Sequence, residues 1–278
     1  GKVETKIRKQ GGRTAELTVR RQVGQSDIFQ VTRLETGSHR IEFDTEIDWK
    51  EQHRLLKVSF PTTIMSENGI NEIQYGFIER PMHRSRAYEQ DRFEVCNHRY
   101  SAVCDGGNGF GILNDCKYGI SMKDGILELT LLRGGACPDF MADQRKHHFT
   151  YGITPWKGSF QNSDIIAQGY ELNEKPYMIF GTGQTFSLAS MDKEHMVIDT
   201  VKMAEDGSGD LIFRIYEGKK WMDDGVLSMG IPAEQAWECD MLENKKTELE
   251  IVSNKISMHF RAFEIKTLRI RTEKVNGG

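Results

Sequence analysis

The stretch RIEFDTEIDW alternates without a break: Ile41, Phe43, Thr45, Ile47 and Trp49 fall on one side, and Glu42, Asp44, Glu46 and Asp48 on the other. Side chains of an extended chain point to opposite faces in turn. The pattern therefore describes an antiparallel strand with one face in a core and the other in water. The segments AELTVRRQ, IFQVTRLET, LLKVSFPTT, EIQYGFIE, ILELTLL, FTYGIT, LIFRIYE, LEIVSN and ISMHFRAF also read as strands. Between many of them stand ETGS, SENG, DGGNG, MKDG and EDGSG, which carry the Gly, Asn and Asp that tight turns require. Only NSDIIAQGYELN reads as a helix, with Asn162 or Ser163 as its cap. Many short strands and almost no helix predict an all-β chain built as a sandwich. A shift after the Gly- and His-rich central region predicts two parts, a large β-sandwich over 1–192 and a smaller β-domain over 193–278.

The chain has 278 residues, 38% hydrophobic and 28% charged, enough for an ample core under a soluble surface. It holds no apolar run of about 18 residues, so no membrane partner is expected. The opening residues GKVETKIRKQGGRTAEL lack the apolar region of a signal peptide. A net charge of −4 argues against nucleic acid as a partner. Five cysteines, an odd number with no CxxC, suit a reducing compartment and buried, inert thiols, so a cytoplasmic location is expected.

Several constellations suggest chemistry. Asn114, Asp115, Cys116, Lys117 and Tyr118 stand together ahead of a strongly patterned strand, and they read either as an active site or as the decoration of a hairpin. The acidic face of residues 42–48 offers carboxylates roughly 6.5–7 Å apart, inside the range of inverting glycosidases. Neighbours on one strand project in parallel and cannot flank a sugar, so a solvated face is the better reading. The eight histidines show no HxH, HxD, HxxxH or HExxH, and GGNGFG and GTGQT match no nucleotide motif. In ILELTLLR, Leu127, Leu129 and Leu131 share a parity that Arg133 continues, which places a guanidinium on the core side at the end of a strand. It reads either as a salt bridge, to Asp139 or Asp143, or as a site at the rim of the sandwich. The run ERPMHRSRAYEQDRFEVCNHRY is dense in Arg, His, acid and aromatic groups, and suits a loop held by ion pairs or a polyol-recognising surface.

DTEIDWKEQHRLLKVSFP, EIQYGFIERPMHR, RFEVCNHRY, GILNDCKYGISMKDGILELTLLR, ADQRKHHFTYGITP and VIDTVKMAEDGSGDLIFRIYE, in this order, resemble the C-terminal β-sandwich region of glycoside hydrolase family 38 α-mannosidases, and the likeness runs on to FEIKTLRIR. The chain departs from typical members at Met82, Cys96-Asn97, Tyr100 and Arg145-Lys146. The resemblance implies a galactose-mutarotase-like supersandwich lacking its first strands, followed by a smaller β-sandwich. It implies a C-terminal fragment of a retaining, zinc-dependent enzyme hydrolysing terminal α-mannosides. The nucleophile, the acid/base carboxylate and the zinc would belong to an N-terminal barrel of the same protein, so neither a catalytic residue nor a metal is expected in this chain, which is expected to be inactive alone. Its partners would be that barrel and the α-mannoside, with a homo-oligomer left open. The family pattern carries Arg133 into the substrate cleft and, by a looser match, Tyr75. His83, Arg99, Asp115, Lys117, Asp143 and Gln144 stand in family-like motifs without an assigned role. Two rival readings are a carbohydrate-binding or docking module using Trp49, Trp156, Trp221 or Trp237, and a sugar epimerase pairing His98 or His147 with Glu79 or Glu94.

Overall fold

The computed structural model describes residues 3–9, 11–181 and 183–273. They fall into two compact units, Gly1–Gln74 with Ile78–Pro176 and Tyr75–Phe77 with Tyr177–Gly278. The first unit holds β1 (Val3–Lys9), β2 (Thr14–Val23), β3 (Ser26–Glu35), β4 (Ile41–Asp48), β5 (Leu55–Pro61), β6 (Asn68–Ile73), β7 (Gly76–Pro81) from Ile78 onward, the short helix α1 (Ala87–Asp91), β8 (Val95–Cys96), β9 (Tyr100–Cys104), β10 (Asn108–Asn114), β11 (Gly119–Lys123), β12 (Ile126–Arg133), β13 (Lys146–Lys157) and α2 (Ile165–Asn173). Nine of these strands make one sheet in the order β1-β2-β3-β4-β13-β10-β9-β6-β7, and four make the second, β5-β12-β11-β8.

The alternation in RIEFDTEIDW is what sets β4 between β3 and β13, antiparallel to both. Thr45, Ile47 and Trp49 are buried, and Phe43 stacks on Tyr151 with ring centroids 5.0 Å apart. From the smaller sheet come Ile120, Leu127, Leu129 and Leu131, all in the same core as Ile47, Ile112 and Phe149. Each such side chain contributes about 1.5–3 kcal/mol on leaving water. The acidic face is a solvated one: Glu42 pairs with Arg33 and Arg40, Asp44 with His148, Asp48 with Lys50, and Glu46 is exposed. β1 lies at the sheet edge with all seven residues exposed.

The second unit holds β14 (Ala189–Met191), β15 (Met196–Met203), β16 (Leu211–Glu217), β17 (Asp223–Met229), β18 (Ala233–Cys239), β19 (Lys245–Leu249), β20 (Lys255–Phe260) and β21 (Ile265–Thr272). A five-stranded sheet, β15-β16-β21-β18-β19, and a three-stranded one, β14-β17-β20, share a core of Phe213, Ile215, Leu227, Ile256, Phe260, Leu268 and Ile270. β14 pairs with β17, which is why the second unit begins ahead of residue 193. Among the described residues no helix is long and apolar enough to cross a membrane.

The all-β expectation holds, and several local expectations do not. EIQYGFIE is two strands, because Tyr75 takes φ 58° and turns the chain between β6 and β7. LEIVSN lies mostly outside any strand: Ser253 and Asn254 take φ 51° and 63° and form the turn before β20. Phe263 at φ 58° likewise ends ISMHFRAF early. α2 starts at Ile165 with Asp164 as its cap residue, since Asn162 and Ser163 are used in a 3-10 turn in which the Ser163 hydroxyl donates to the Phe160 carbonyl. α1 and β1 are not among the elements read from the sequence: α1 is only five residues long, and the alternation of Val3, Thr5 and Ile7 in β1 lies ahead of the first strand expected there. The thiols are free but not uniformly buried: Cys96, Cys116 and Cys137 are exposed because they fall at a strand end and in loops, while Cys239 is inside.

Candidate functional site

Arg133 is where the structure corrects the sequence most directly. β12 pairs with β5 in register up to Thr130↔Lys57 and then resumes at Leu132↔Leu56, so Leu131 is an inserted residue, a β-bulge. Leu131 and Leu132 are both buried, and the parity that would have carried Arg133 inward is reversed. Its side chain is exposed, and among the described residues no carboxylate lies within ion-pair distance. Asp139 instead accepts the backbone N–H of Met141, and the Asp143 carbonyl accepts from His147 Nε2 at 2.7 Å.

The backbone around Arg133 is tightly held. Gly134 N–H donates to the Arg54 carbonyl, and the Gly134 carbonyl accepts from His53 N–H. A Cβ on Gly134 would stand 2.6 Å from the Glu51 carbonyl oxygen and 3.0 Å from the buried Trp49 Nε1, so this position has no room for a side chain. Trp49 N–H donates to the Arg145 carbonyl, which ties the same rim to the run carrying Asp143 and Gln144. Asp143 takes φ 64°, and Gln144 N–H donates to the Met141 carbonyl. Beyond Arg133 the loop leaves Phe140 and Met141 76% and 61% exposed.

A second group gathers Arg99, Asp115 and Lys117. Asn114 N–H donates to the Arg99 carbonyl, and its side-chain amide donates to the His98 carbonyl. Asp115 Oδ2 accepts the Thr150 N–H at 2.8 Å while Asp115 N–H donates to the Thr150 carbonyl. Lys117 Nζ lies 4.3 Å from the centre of the Phe149 ring. Arg99 is held by a residue that sequence reasoning missed, Glu72. This carboxylate is buried and accepts from Arg99 Nε at 3.0 Å, from its terminal NH2 at 2.7 Å and from its backbone N–H at 2.6 Å. The guanidinium also lies 3.6 Å from the centre of the Tyr170 ring on α2. Burial works to lower the Arg99 pKa, but the Glu72 hydrogen bonds and charge outweigh it and hold it above its ordinary value. The available signal was the excess of arginine over residues 80–99, which demands acids from elsewhere in the chain.

The apparent nucleophile Cys116 is not activated. Partial burial of its sulfur and the adjacent Asp115 carboxylate push its pKa up to about 11. The thiolate is the reactive form, so alkylation of Cys116 near neutral pH is expected to be slow and to accelerate as pH approaches 11. Peptide mass spectrometry after iodoacetamide treatment across that range reads the outcome, and rapid labelling at neutral pH would restore Cys116 as a nucleophile.

The remaining candidates lie apart. His83 Nδ1 is 3.4 Å from Glu89, whose carboxylate also accepts the backbone N–H groups of Ser85 and Arg86 at the start of α1. Tyr75 groups with the second unit, its ring edge-on to Tyr216 at 5.4 Å. Of the tryptophans, Trp49 is buried, Trp156 Nε1 donates to the Ser159 carbonyl, Trp237 is covered by Lys245 and Arg271, and Trp221 is half exposed with its ring 5.4 Å from that of His195. Glu94 is occupied by Thr130 and Lys57, and His147 by the Asp143 carbonyl. Among the described residues no three His, Cys, Asp or Glu are placed to hold a metal ion.

The family model for the glycosyl hydrolases family 38 C-terminal domain matches residues 2–141, and that for the family 38 C-terminal beta sandwich domain matches residues 195–268. The chain is similar to the Homo sapiens protein named alpha-mannosidase 2C1, 36% identical over 251 residues that make up 87% of this chain and 24% of that protein. It is also 36% identical to alpha-mannosidase G of Dictyostelium discoideum, over 88% of this chain and 24% of that one. The crystal structure of an alpha-mannosidase from Enterococcus faecalis V583 shares the fold with a TM-score of 0.82 at 18% identity, covering 97% of this chain and 35% of that one. The chain thus spans about a quarter of the length of the curated relatives it matches. It belongs to glycosyl hydrolase family 38, as a representative of that family's C-terminal β-sandwich region.

Proposed function

We propose that this chain is the C-terminal part of a retaining, zinc-dependent α-mannosidase that hydrolyses terminal α-mannosides, and that it packs on a catalytic barrel and lines the substrate cleft. The observation that carries the reading is the partial coverage: the relatives named as α-mannosidases are about four times as long as the segment they share with this chain. The chemistry of bond cleavage, with its opposed carboxylates and its metal, is assigned to the barrel. Arg133 is the residue assigned to the cleft. It is a cation without an ion-pair partner among the described residues, on a rim whose backbone is fixed from both sides, and that leaves it available to a group across the cleft. A guanidinium held there can donate two parallel hydrogen bonds to hydroxyls or to a carboxylate across the cleft. Five free cysteines support the cytoplasm as the location.

The isolated chain is expected to show no turnover of p-nitrophenyl α-mannoside, and turnover by the purified chain would overturn the division of labour. In the full-length protein Arg133→Ala is expected to lower kcat/KM by about tenfold or more, the equivalent of about 1.5–3 kcal/mol for a charged hydrogen bond. Unchanged kinetics would remove Arg133 from the cleft.

A further inference from the structure

Along its outer edge β1 has no partner strand among the described residues: it pairs with β2 and stands first in the sheet order. The register across β1, β2 and β3 fixes its two faces. Val3 lies opposite Arg21 and Arg21 opposite Ile28, while Ile7 lies opposite Leu17 and Leu17 opposite Thr32. Directly opposite residues share a face, and Ile28 is in the core, so Val3, Thr5 and Ile7 continue the core side of the sheet outward. The core does not reach them: Val3 is 59% and Ile7 69% exposed. Glu4 and Lys6 stand on the opposite side, in rows with Arg20 and Thr18. An exposed, alternating edge of this kind is a template for another strand.

The residues of this edge select a second copy of the same strand. Two copies of β1 related by a two-fold axis run antiparallel, and residues directly opposite each other must come from the same side of the strand. The axis therefore passes between one residue and its own copy. Centred on Thr5, the register sets Val3 against Ile7 of the second copy, Glu4 against its Lys6 and Thr5 against its Thr5, and the symmetry repeats each contact. Apolar meets apolar, acid meets base and hydroxyl meets hydroxyl. The neighbouring registers fail: centring on Glu4 opposes two glutamates, on Lys6 two lysines, and on Ile7 the Lys6 of one copy and the Arg8 of the other. The register centred on Thr5 also stops short of the irregularity between Ile7 and Lys9, and it leaves Arg8 to its ion pair with Glu16 at 3.5 Å. Lysine on an edge strand ordinarily wards off other strands. Here Lys6 meets its countercharge when the incoming strand is a second β1.

We infer that β1 pairs with β1 of a second copy of this chain, antiparallel and centred on Thr5, which joins the two large sheets into one. The pairing uses the free edge of both copies and so closes at two. It invokes neither hydrolysis nor a barrel, and it stands or falls apart from the mannosidase reading. Residues 3–7 of each copy make a contact below the standard interface size, so the expected Kd is on the order of 100 µM. The test is sedimentation equilibrium of the chain over about 1–500 µM, where a dimer should build up with concentration. Lys6→Glu and Glu4→Lys each set like charges opposite each other twice in the dimer, and each should weaken it about tenfold. The double replacement, Glu4→Lys with Lys6→Glu, rebuilds both contacts with the signs exchanged and should return Kd to within about threefold of the wild type. Both positions are exposed, and coincident melting curves at about 1 µM, where all four proteins are monomers, separate lost pairing from unfolding. Three results would overturn the inference: a monomer throughout the range, a dimer that neither single replacement weakens, or a loss that the double replacement fails to repair.

Discussion

Replacing Arg99 with methionine is expected to destabilise the protein by about 3–5 kcal/mol, the usual consequence of leaving a buried charge without its partner. Glu72 is only 2% exposed, and all three hydrogen bonds that solvate its carboxylate come from Arg99. The substitution removes two of them and the whole countercharge. It also removes the guanidinium from the Tyr170 ring, which loosens α2 where Gly169 allows its backbone to approach Arg99. A double replacement, Arg99→Met with Glu72→Leu, should recover much of the loss, since an apolar pair of similar volume can fill the site without stranding a charge. Urea unfolding of the three variants reads the coupling. A cost below about 1 kcal/mol for Arg99→Met would show that the pair is not structural and would return Arg99 to the candidates for a cleft role.

Asp210→Asn is expected to cost about 3 kcal/mol or more for the same reason, here in the second unit. Asp210 is 2% exposed and accepts from Arg269 Nε at 2.7 Å and Arg271 Nε at 3.2 Å, while Arg269 also donates to Asp206 and Ser208. Burial raises the Asp210 pKa, but the two arginines more than offset this, so the net direction is downward. Asp206 lies well below the usual carboxylate range, held there by hydrogen bonds from Ser208 and Arg269. A carboxyl whose folded pKa is depressed stabilises the fold fully above its unfolded pKa, near pH 4, and that contribution fades as pH falls through the folded value. Stability of the wild type should therefore drop on acidification below about pH 4, and Asp210→Asn should flatten that drop while starting from a lower plateau. Parallel acid dependence in the two proteins would mean that Asp210 does not carry it.

What could be read from the sequence was whatever repeats along one strand. The alternation of residues 41–49 fixed both the strand and its buried face, down to Trp49. The strand end at Arg133 could not be read, because a bulge at Leu131 reverses the parity and inserts a leucine that looks like any other. Nor could the turn at Tyr75, since an aromatic residue at positive φ is rare and is held there by tertiary packing rather than by local preference. The pairing of Glu72 with Arg99 joins residues 27 apart across a sheet, and no local pattern encodes it. The cross-strand row of Glu4, Arg20, Phe29, Glu46 and His148 was hidden for a related reason, since its members are scattered through the chain and become neighbours only through the register of five strands. The candidates singled out for chemistry near Cys116 were legible as a cluster but not as a cluster without reactivity, which depends on where the thiol sits relative to Asp115.

The bulge in β12 also divides the strand between two kinds of selection. At Leu127, Leu129, Leu131 and Leu132 a change of shape is felt by the core, where a lost methylene leaves a void. One residue later the side chain has left the core altogether, and its identity is free to follow whatever meets the rim. Relatives in this fold can therefore vary the residue at 133 without repacking the sandwich, and can repack the sandwich without disturbing the rim. Specificity at this edge can drift at little cost to folding, provided the one extra leucine stays in place.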